Sequence, residues 1–441
     1  MLFYSFNMEI SKYNTFFKSE KHGFFLYSSL TNSFMKLNED LYNLLLTIKE
    51  KKDSLNKIDK EIIAALTKSK VIVEENYDDN FFIQKQYLSY LASFSENGMG
   101  VIIVPTMSCN FACPYCYEKD VPTEIMTDEV QDKIIKFIIN NNNNNNKGIS
   151  LCWHGGEPLV AFNRMIKILD KLRDENISLS SHDLVTNGYL LNREKCEILK
   201  KYNLNSIQIT IDGLPDEHNK SRIHKTGVPT YDTIVNNIDL FTELLPDCQV
   251  NIRVNVHDSN KKDFPKLYKE LSTRWKGKNC YIYMKYVTDN DHCKVKCLSH
   301  KEKINFVSDL YLTHKMSNIN FFPENQDFGC AATTQNTFIF GPFGEMYKCW
   351  ADVGRDDRIV GNVNDGLTNI SLLSEYMVGT NMFSDPKCKN CHIMPICSGG
   401  CPLIRYENKY LEKNNNVCPI DLNDLPKLLE LHYEQHLEKK Q

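Results

Sequence analysis

Cys109, Cys113 and Cys116 stand in the segment CNFACPYCYE, just after the short apolar run Val101–Val104. Three residues separate the first pair and two the second. Iron–sulfur cubes are normally held by four cysteine thiolates. Three thiolates would hold three irons and leave the fourth open to a small molecule. A triplet this close therefore points to a cluster that does chemistry, not only electron transfer. A zinc knuckle lacking its fourth ligand, or three unrelated thiols, would give the same pattern, and structural context must decide.

Seven more cysteines lie toward the C-terminus. Thirteen residues separate Cys330 from Gly344, and four separate Gly344 from Cys349. Cys388, Cys391, Cys397 and Cys401 follow with gaps of two, five and three, and Cys418 closes the set. The chain has 16 cysteines in 441 residues. Its N-terminus, MLFYSFNMEISK, lacks a basic stretch followed by a long apolar core, so it reads as cytoplasmic. Disulfides are disfavoured in that compartment, and clustered cysteines then indicate metal binding. Cys152, Cys196, Cys248 and Cys280 are isolated and read as small core hydrophobes. Cys293 and Cys297 form a CKVKC pair without an assigned role.

The elements that position these thiols fall into four stretches. In residues 1–78, two apolar-aromatic runs, Gly23–Ser28 and Ser33–Leu37, flank Leu30-Thr31-Asn32 and read as a hairpin. Helical patterns follow at Asp40–Lys51, with Asn38 as N-cap, and at Asp59–Thr67, before a short strand at Val71–Val73. Together they suggest a winged helix. Residues 79–98 read as a connecting helix. From 99 to 300 strands alternate with helices, which argues an α/β fold of parallel βα units. Six strands are expected: Val101–Val104, Ile149–Trp153, Asp183–Thr186, Ser206–Ile211, Gln249–Val256 and Tyr281–Val287. The run Asn140–Asn146 reads as a solvated loop. Residues 301–441 carry the second cysteine array, and Leu425–Leu437 is helical in pattern. The net charge of −4 gives no strong field for nucleic acid. No apolar run approaches the roughly 18 residues of a membrane span.

Each chemical motif falls at the end of an expected strand. The cysteine loop follows the first. Gly155-Gly156-Glu157-Pro158 follows the second; a glycine pair admits close backbone approach, and Glu157 could accept from a ligand ammonium. Thr186-Asn187-Gly188 ends the third, and Thr210-Ile211-Asp212-Gly213 ends the fourth, ahead of His218 and Arg222. On the fifth, Arg253 and Asn255 alternate with apolar residues and both are candidates to face cofactor or substrate.

This ensemble, with Tyr115 directly before Cys116, resembles the radical S-adenosylmethionine enzyme family. The resemblance implies a partial (β/α)6 TIM-like barrel, S-adenosyl-L-methionine as cofactor, and a [4Fe–4S] cluster on Cys109, Cys113 and Cys116. It implies that Tyr115, Gly155, Gly156, Glu157, Thr210 and Arg222 contact the cofactor, with Arg222 pairing its carboxylate. The reduced cluster would cleave the cofactor to methionine and a 5′-deoxyadenosyl radical, which abstracts hydrogen from an unactivated C–H bond.

The seven-cysteine array resembles the SPASM domain of radical enzymes that act on peptides and proteins. By position, that implies one auxiliary [4Fe–4S] cluster on Cys388, Cys391, Cys397 and Cys418. It implies another on Cys330, Cys349 and Cys401, making three clusters in all. No cysteine lies in FFPENQDFG, just upstream of Cys330, so that second auxiliary cluster has an open iron or recruits Cys293 or Cys297. In sulfatase maturases of this group an Asp follows the cysteine at the Cys349 position; here Trp350 follows, and the nearest acid is Asp352. The N-terminal stretch resembles the leader-recognition domain of peptide maturases, where a leader adds as an edge strand. The implied activity is an oxidative cross-link in a ribosomally synthesised precursor peptide, with a Cys thioether ahead of a C–C bond. The implied partners are that peptide and a reductant such as flavodoxin or ferredoxin, with neither nucleic acid nor membrane. A formylglycine-forming sulfatase maturase is the alternative, and a non-enzymatic zinc-binding or winged-helix protein is the third reading.

Overall fold

Two compact units divide the chain, and neither is contiguous in sequence. One takes residues 1–95, 317–334 and 375–441; the other takes 96–316 and 335–374. The computed structural model describes residues 8–51, 55, 58–96, 98–118, 121–142, 148–288, 292–316, 318–326 and 329–438. Residues 143–146 of the asparagine run and Asp327 and Phe328 of FFPENQDFG lie outside the described residues.

In the first unit, β1 (Met8–Ile10) pairs antiparallel with β5 (Ile72–Glu74). Strands β2 (Asn14–Ser19), β3 (Gly23–Ser28) and β4 (Ser33–Leu37) form an antiparallel meander. Ser28 stands opposite Ser33, so the turn expected between the two aromatic runs closes the hairpin. Alternation along β3 gives the sheet two apolar faces. Leu26 packs with Leu45, Ile48, Leu66 and Ile72 on one side. Phe25 and Tyr27 pack with Phe17, Ile393, Ile396, Leu425 and Leu429 on the other. The helices begin where their capping residues stand. Asn38 accepts from Leu41 N–H at 2.8 Å ahead of helix Glu39–Lys51, and Asp59 accepts from Glu61 N–H at 2.8 Å ahead of helix Lys60–Lys68.

The second unit is built on β6 (Met99–Ile103), β7 (Ile149–Trp153), β8 (Leu179–Thr186), β9 (Ser206–Thr210), β10 (Gln249–Val256) and β11 (Cys280–Tyr286). These six strands lie side by side in chain order, every neighbouring pair parallel. Helices Asp128–Asn141, Phe162–Asp174, Arg193–Lys201, Tyr231–Leu244 and Phe264–Arg274 make the crossovers. Strand residues Val101, Ile103, Leu151, Trp153, Ile207, Ile209, Val250 and Ile252 are buried, as parallel strands covered by helices require. The parallel α/β architecture expected from sequence is thus present and is consistent with a partial barrel.

The sheet also continues past β6, which sequence reading did not anticipate. β12 (Thr337–Phe340) adds parallel to β6. β13 (Glu345–Tyr347), β14 (Gly361–Asn362) and β15 (Gly366–Leu367) extend it antiparallel to ten strands. Strands of two to four residues carry too little periodicity to stand out. Among the described residues, no helix is long and apolar enough to cross a membrane.

Candidate active site

The triplet loop leaves the C-terminal end of β6 and is clamped by backbone on two sides. Residues 110–112 pair with 223–225: Ala112 N–H donates to Ile223 O at 2.8 Å, and Lys225 N–H to Asn110 O at 2.9 Å. On the other side, Gly156 N–H donates to Thr106 O at 3.3 Å and Glu157 N–H to Ser108 O at 2.9 Å. A Cβ on Gly156 would lie 2.2 Å from Met107 O and 2.6 Å from Ser108 O. The glycine pair therefore lets the loop after β7 press against the start of the cysteine loop.

Cys113 is buried and Cys109 and Cys116 are half-buried. Burial pushes the Cys109 thiol up to about 12 and the Cys116 thiol to about 11, and the Cys113 thiol adds to both shifts. Cys113 thus stands close to each of its partners. Three neighbouring thiols in a dry site are costly to ionise unless a cation is bound. Among the described residues, no three cysteine sulfurs lie within 4.8 Å of one another.

Glu157 is fully buried. Its Oε1 accepts from Thr186 Oγ1 at 2.7 Å and from Leu159 N–H at 3.0 Å, and its Oε2 from Asn187 N–H at 2.7 Å. Burial raises its pKa while these three bonds oppose the rise. The carboxylate thus ties the end of β8 to the end of β7. Asn187 Nδ2 in turn donates to Asn110 Oδ1 at 2.7 Å, next to Cys109.

Tyr115 is the hub of a polar network drawn from four segments. Its hydroxyl hydrogen-bonds to Asp212 Oδ2. It also accepts from Arg222 Nη1 at 3.3 Å and Asn255 Nδ2 at 3.4 Å. Asp212 Oδ1 accepts from Asn255 N–H at 2.8 Å, and Arg253 Nε donates to Asn255 Oδ1 at 2.8 Å. Thr210 sits at the end of β9, opposite Arg253. Arg222 rides over the Phe111 ring at 5.4 Å, and its Nε is buried with no hydrogen-bond partner. An unpartnered buried guanidinium N–H suits an anionic ligand group. The structure therefore brings Tyr115, Arg222, Arg253 and Asn255 together. Asp212, fully buried at the centre, is a residue of this network that sequence reasoning missed. Its place at a strand end was the available signal.

Sequence reading missed a second group beside the loop. His154, directly after β7, stacks on Trp350 with ring centres 5.4 Å apart and planes 3° off parallel. His154 Nδ1 lies 3.6 Å from Glu118 Oε1, and neither atom has a hydrogen-bond partner. Burial, then the charge of Arg253, depresses His154 to about 4; burial, then Glu157, raises Glu118 to about 7. Asp352, the nearest acid after Cys349, is fully buried.

The other unit carries most of the second array. Burial raises the Cys391 thiol and the neighbouring Cys397 and Cys418 add to that shift; burial raises the Cys418 thiol and Cys397 adds to it. Cys391 N–H donates to Cys388 O at 3.1 Å, closing a turn between these two residues. Cys330 and Cys401 are exposed in the same unit, while Cys349 belongs to the parallel-strand unit. Cys196 and Cys248 are buried, whereas Cys152 and Cys280 are half-buried. Cys293 and Cys297 place their sulfurs 3.8 Å apart.

Residues 103–271 match the Radical SAM superfamily. The radical SAM cyclopropyl synthase TigE of Paramaledivibacter caminithermalis is 25% identical over 95% of this chain and 94% of its own length. A cysteine-type anaerobic sulfatase-maturating enzyme of Clostridium novyi is 22% identical over 72% of this chain and 92% of its own. The crystal structure of Streptococcus suis SuiB bound to precursor peptide SuiA superposes with a TM-score of 0.53 at 18% identity. That match covers 94% of this chain and 100% of SuiB, which shows a shared fold.

Proposed function

We propose that this radical S-adenosylmethionine enzyme, which resembles peptide maturases, installs an oxidative cross-link in a ribosomally synthesised precursor peptide. The observation that carries the cofactor assignment is the convergence of Tyr115, Asp212, Arg222 and Asn255 around the triplet loop. Cys109, Cys113 and Cys116 would hold the cluster. When bound, cluster and S-adenosylmethionine supply hydrogen abstraction from an unactivated carbon. The protein's part is to orient and to exclude water. Arg222, held by Tyr115 over Phe111, offers Nε to the cofactor carboxylate. Glu157 secures the loops at Thr186 and Asn187 and leaves a ligand ammonium to the GGEP backbone. Thr210, Arg253 and Asn255 line the remaining wall.

Trp350 favours the peptide reading over sulfatase maturation. It takes the position directly after Cys349, its ring stacks on His154, and the nearest acid, Asp352, is buried. The relatives that span nearly the whole chain point the same way: one is named a cyclopropyl synthase, and SuiB was crystallised with a precursor peptide. The first name supports a carbon–carbon bond as a product beside the thioether. The N-terminal strands and helices would take the leader along a sheet edge. Cys388, Cys391, Cys397 and Cys418 would hold an auxiliary cluster. A flavodoxin or ferredoxin would deliver the electron.

The test is anaerobic turnover after reconstitution with iron and sulfide. The substrates are a short peptide encoded beside the gene and, in parallel, a sulfatase-derived Cys or Ser peptide. Loss of two hydrogens from the first, with an internal cross-link located by fragmentation, is expected. Formylglycine in the second, with the first unchanged, would refute the assignment.

A further inference from the structure

Arg405 lies one turn into helix Pro402–Tyr410, which begins at Cys401. Its guanidinium is committed on three sides. Nε donates to the Gly399 carbonyl at 2.5 Å, Nη1 to Asp385 Oδ2 at 3.1 Å and Nη2 to Cys388 Sγ at 2.9 Å. The side chain is only 10% exposed. Its charge also acts on Cys418. On another side Arg405 lines a cavity of about 70 Å³ whose wall includes Cys330 and Gly400. One fixed cation thus touches a sulfur of the four-thiol group and borders the space onto which Cys330 opens.

Local turns hold this cation in place. Gly399 and Gly400 both take left-handed backbone, at φ +95° and +77°. A Cβ on Gly400 would lie 2.1 Å from the Val417 carbonyl, directly before Cys418. The segment between Cys397 and Cys401 is therefore bent to offer Gly399 O to Arg405. Asp385 is fixed as well, accepting from Lys387 N–H at 2.9 Å. Its Oδ2 lies 3.6 Å from Cys388 Sγ. A ligating Cys388 is a thiolate, so carboxylate and sulfur would repel at that separation. Arg405 stands against both.

Hydrogen bonds to sulfur and net local charge set the potentials of iron–sulfur clusters. Partners of a ligand also fix its orientation. Reduction adds negative charge to a cluster, so an adjacent fixed cation stabilises the reduced form more than the oxidised one. We propose that Arg405 is a positioning residue that raises the reduction potential of a cluster held by Cys388, Cys391, Cys397 and Cys418, with Asp385 opposing it. This rests on the auxiliary-cluster reading above. The sign of each contribution follows from its charge: loss of the cation lowers the midpoint, and loss of the carboxylate raises it.

The experiment uses the full chain with Cys109, Cys113 and Cys116 changed to Ala, reconstituted with iron and sulfide. The signal lost on further Cys397→Ala is assigned to this cluster, and its midpoint is read by a redox titration followed by electron paramagnetic resonance. Arg405→Gln is expected to move the midpoint negative and Asp385→Asn to move it positive. Arg405→Lys, which keeps the charge but not the fork, should fall between Arg405→Gln and the parent. If Arg405→Gln fails to take up iron, the other two variants still fix the signs. Full iron content with an unmoved midpoint, or shifts of one sign in Arg405→Gln and Asp385→Asn, would overturn the proposal alone. A parent that binds no iron at these cysteines would overturn the auxiliary-cluster reading and the proposal with it.

Discussion

The two thiol groups of this chain are assembled by different means. The triplet loop is short in sequence, but many of its supports are distant in sequence. Its supports come from the ends of β7, β8, β9 and β10 and from Arg222, so Tyr115 meets Asp212 across 97 residues and Asn255 across 140. The four-thiol group, in contrast, is shaped by turns within its own stretch. Asp385 caps helix Pro386–Lys389, two left-handed glycines bend the link between Cys397 and Cys401, and helix Pro402–Tyr410 returns Arg405 to Cys388. A site at the shared ends of strands gathers chemistry from many segments.

The largest expected effect tests whether the two groups are functionally separate. Cys113→Ala should abolish reductive cleavage of S-adenosylmethionine while the C-terminal thiols still take up iron. Cys397→Ala should do the reverse, sparing uncoupled cleavage and stopping peptide modification. Loss of cleavage in both would end the distinction.

A methyl group at each glycine contact comes next. Gly156→Ala drives a Cβ to 2.2 Å from Met107 O, and Gly400→Ala drives one to 2.1 Å from Val417 O. Each should cost about 3 kcal/mol of overpacking. Iron analysis should then show the first losing triplet-bound iron and the second losing C-terminal iron.

Asp212→Asn should weaken S-adenosylmethionine binding by roughly 10- to 100-fold, about 1.4–2.8 kcal/mol. It removes the charge that holds Tyr115 and faces Arg222. Equilibrium dialysis of the reconstituted enzyme would read it, and C-terminal cluster spectra should not change.

Acid sensitivity gives a further comparison of the two units. Burial depresses His154 to about 4 and His218 to about 3. Below about pH 6.5 the unfolded chain binds protons that these folded histidines do not, so stability is lost as pH falls. By pH 4 each contributes a loss of up to about 3 kcal/mol. His392, in the other unit, shifts in the same direction through burial. Asp385 shifts as a depressed carboxylate: burial raises it, but Lys387 N–H and Arg405 outweigh burial. Its contribution is lost only as pH falls below about 4. Hydrogen exchange near His154 and His218, after β7 and β9, should therefore speed up as pH falls from 7 to 5.

Much of the parallel sheet was readable because its signals repeat. Apolar runs of four to eight residues alternate with amphipathic stretches, and all six expected strands are present, although β8 starts at Leu179 rather than Asp183. Arg253 and Asn255 were visible as polar residues at every second position of an apolar strand. The Glu118–His154–Trp350 group was not visible. Its three residues are separated by 36 and 196 positions, and no periodicity links them. Glu157 was legible as a motif residue, but not as the tie between β7 and β8, because its donors come from Thr186 and Asn187.

The sequence by itself determined which atoms are available: ten cysteines at telling intervals, a glycine pair, and polar residues at strand ends. Those features are local, and local spacing is written directly in the chain. Only the tertiary structure decided which groups meet. It joined Tyr115 to Asp212, laid Trp350 on His154, extended the sheet through β12, and combined the first 95 residues with 317–334 and 375–441 in one unit. Such contacts depend on how distant segments bury their apolar faces together, and no spacing within any one segment encodes them.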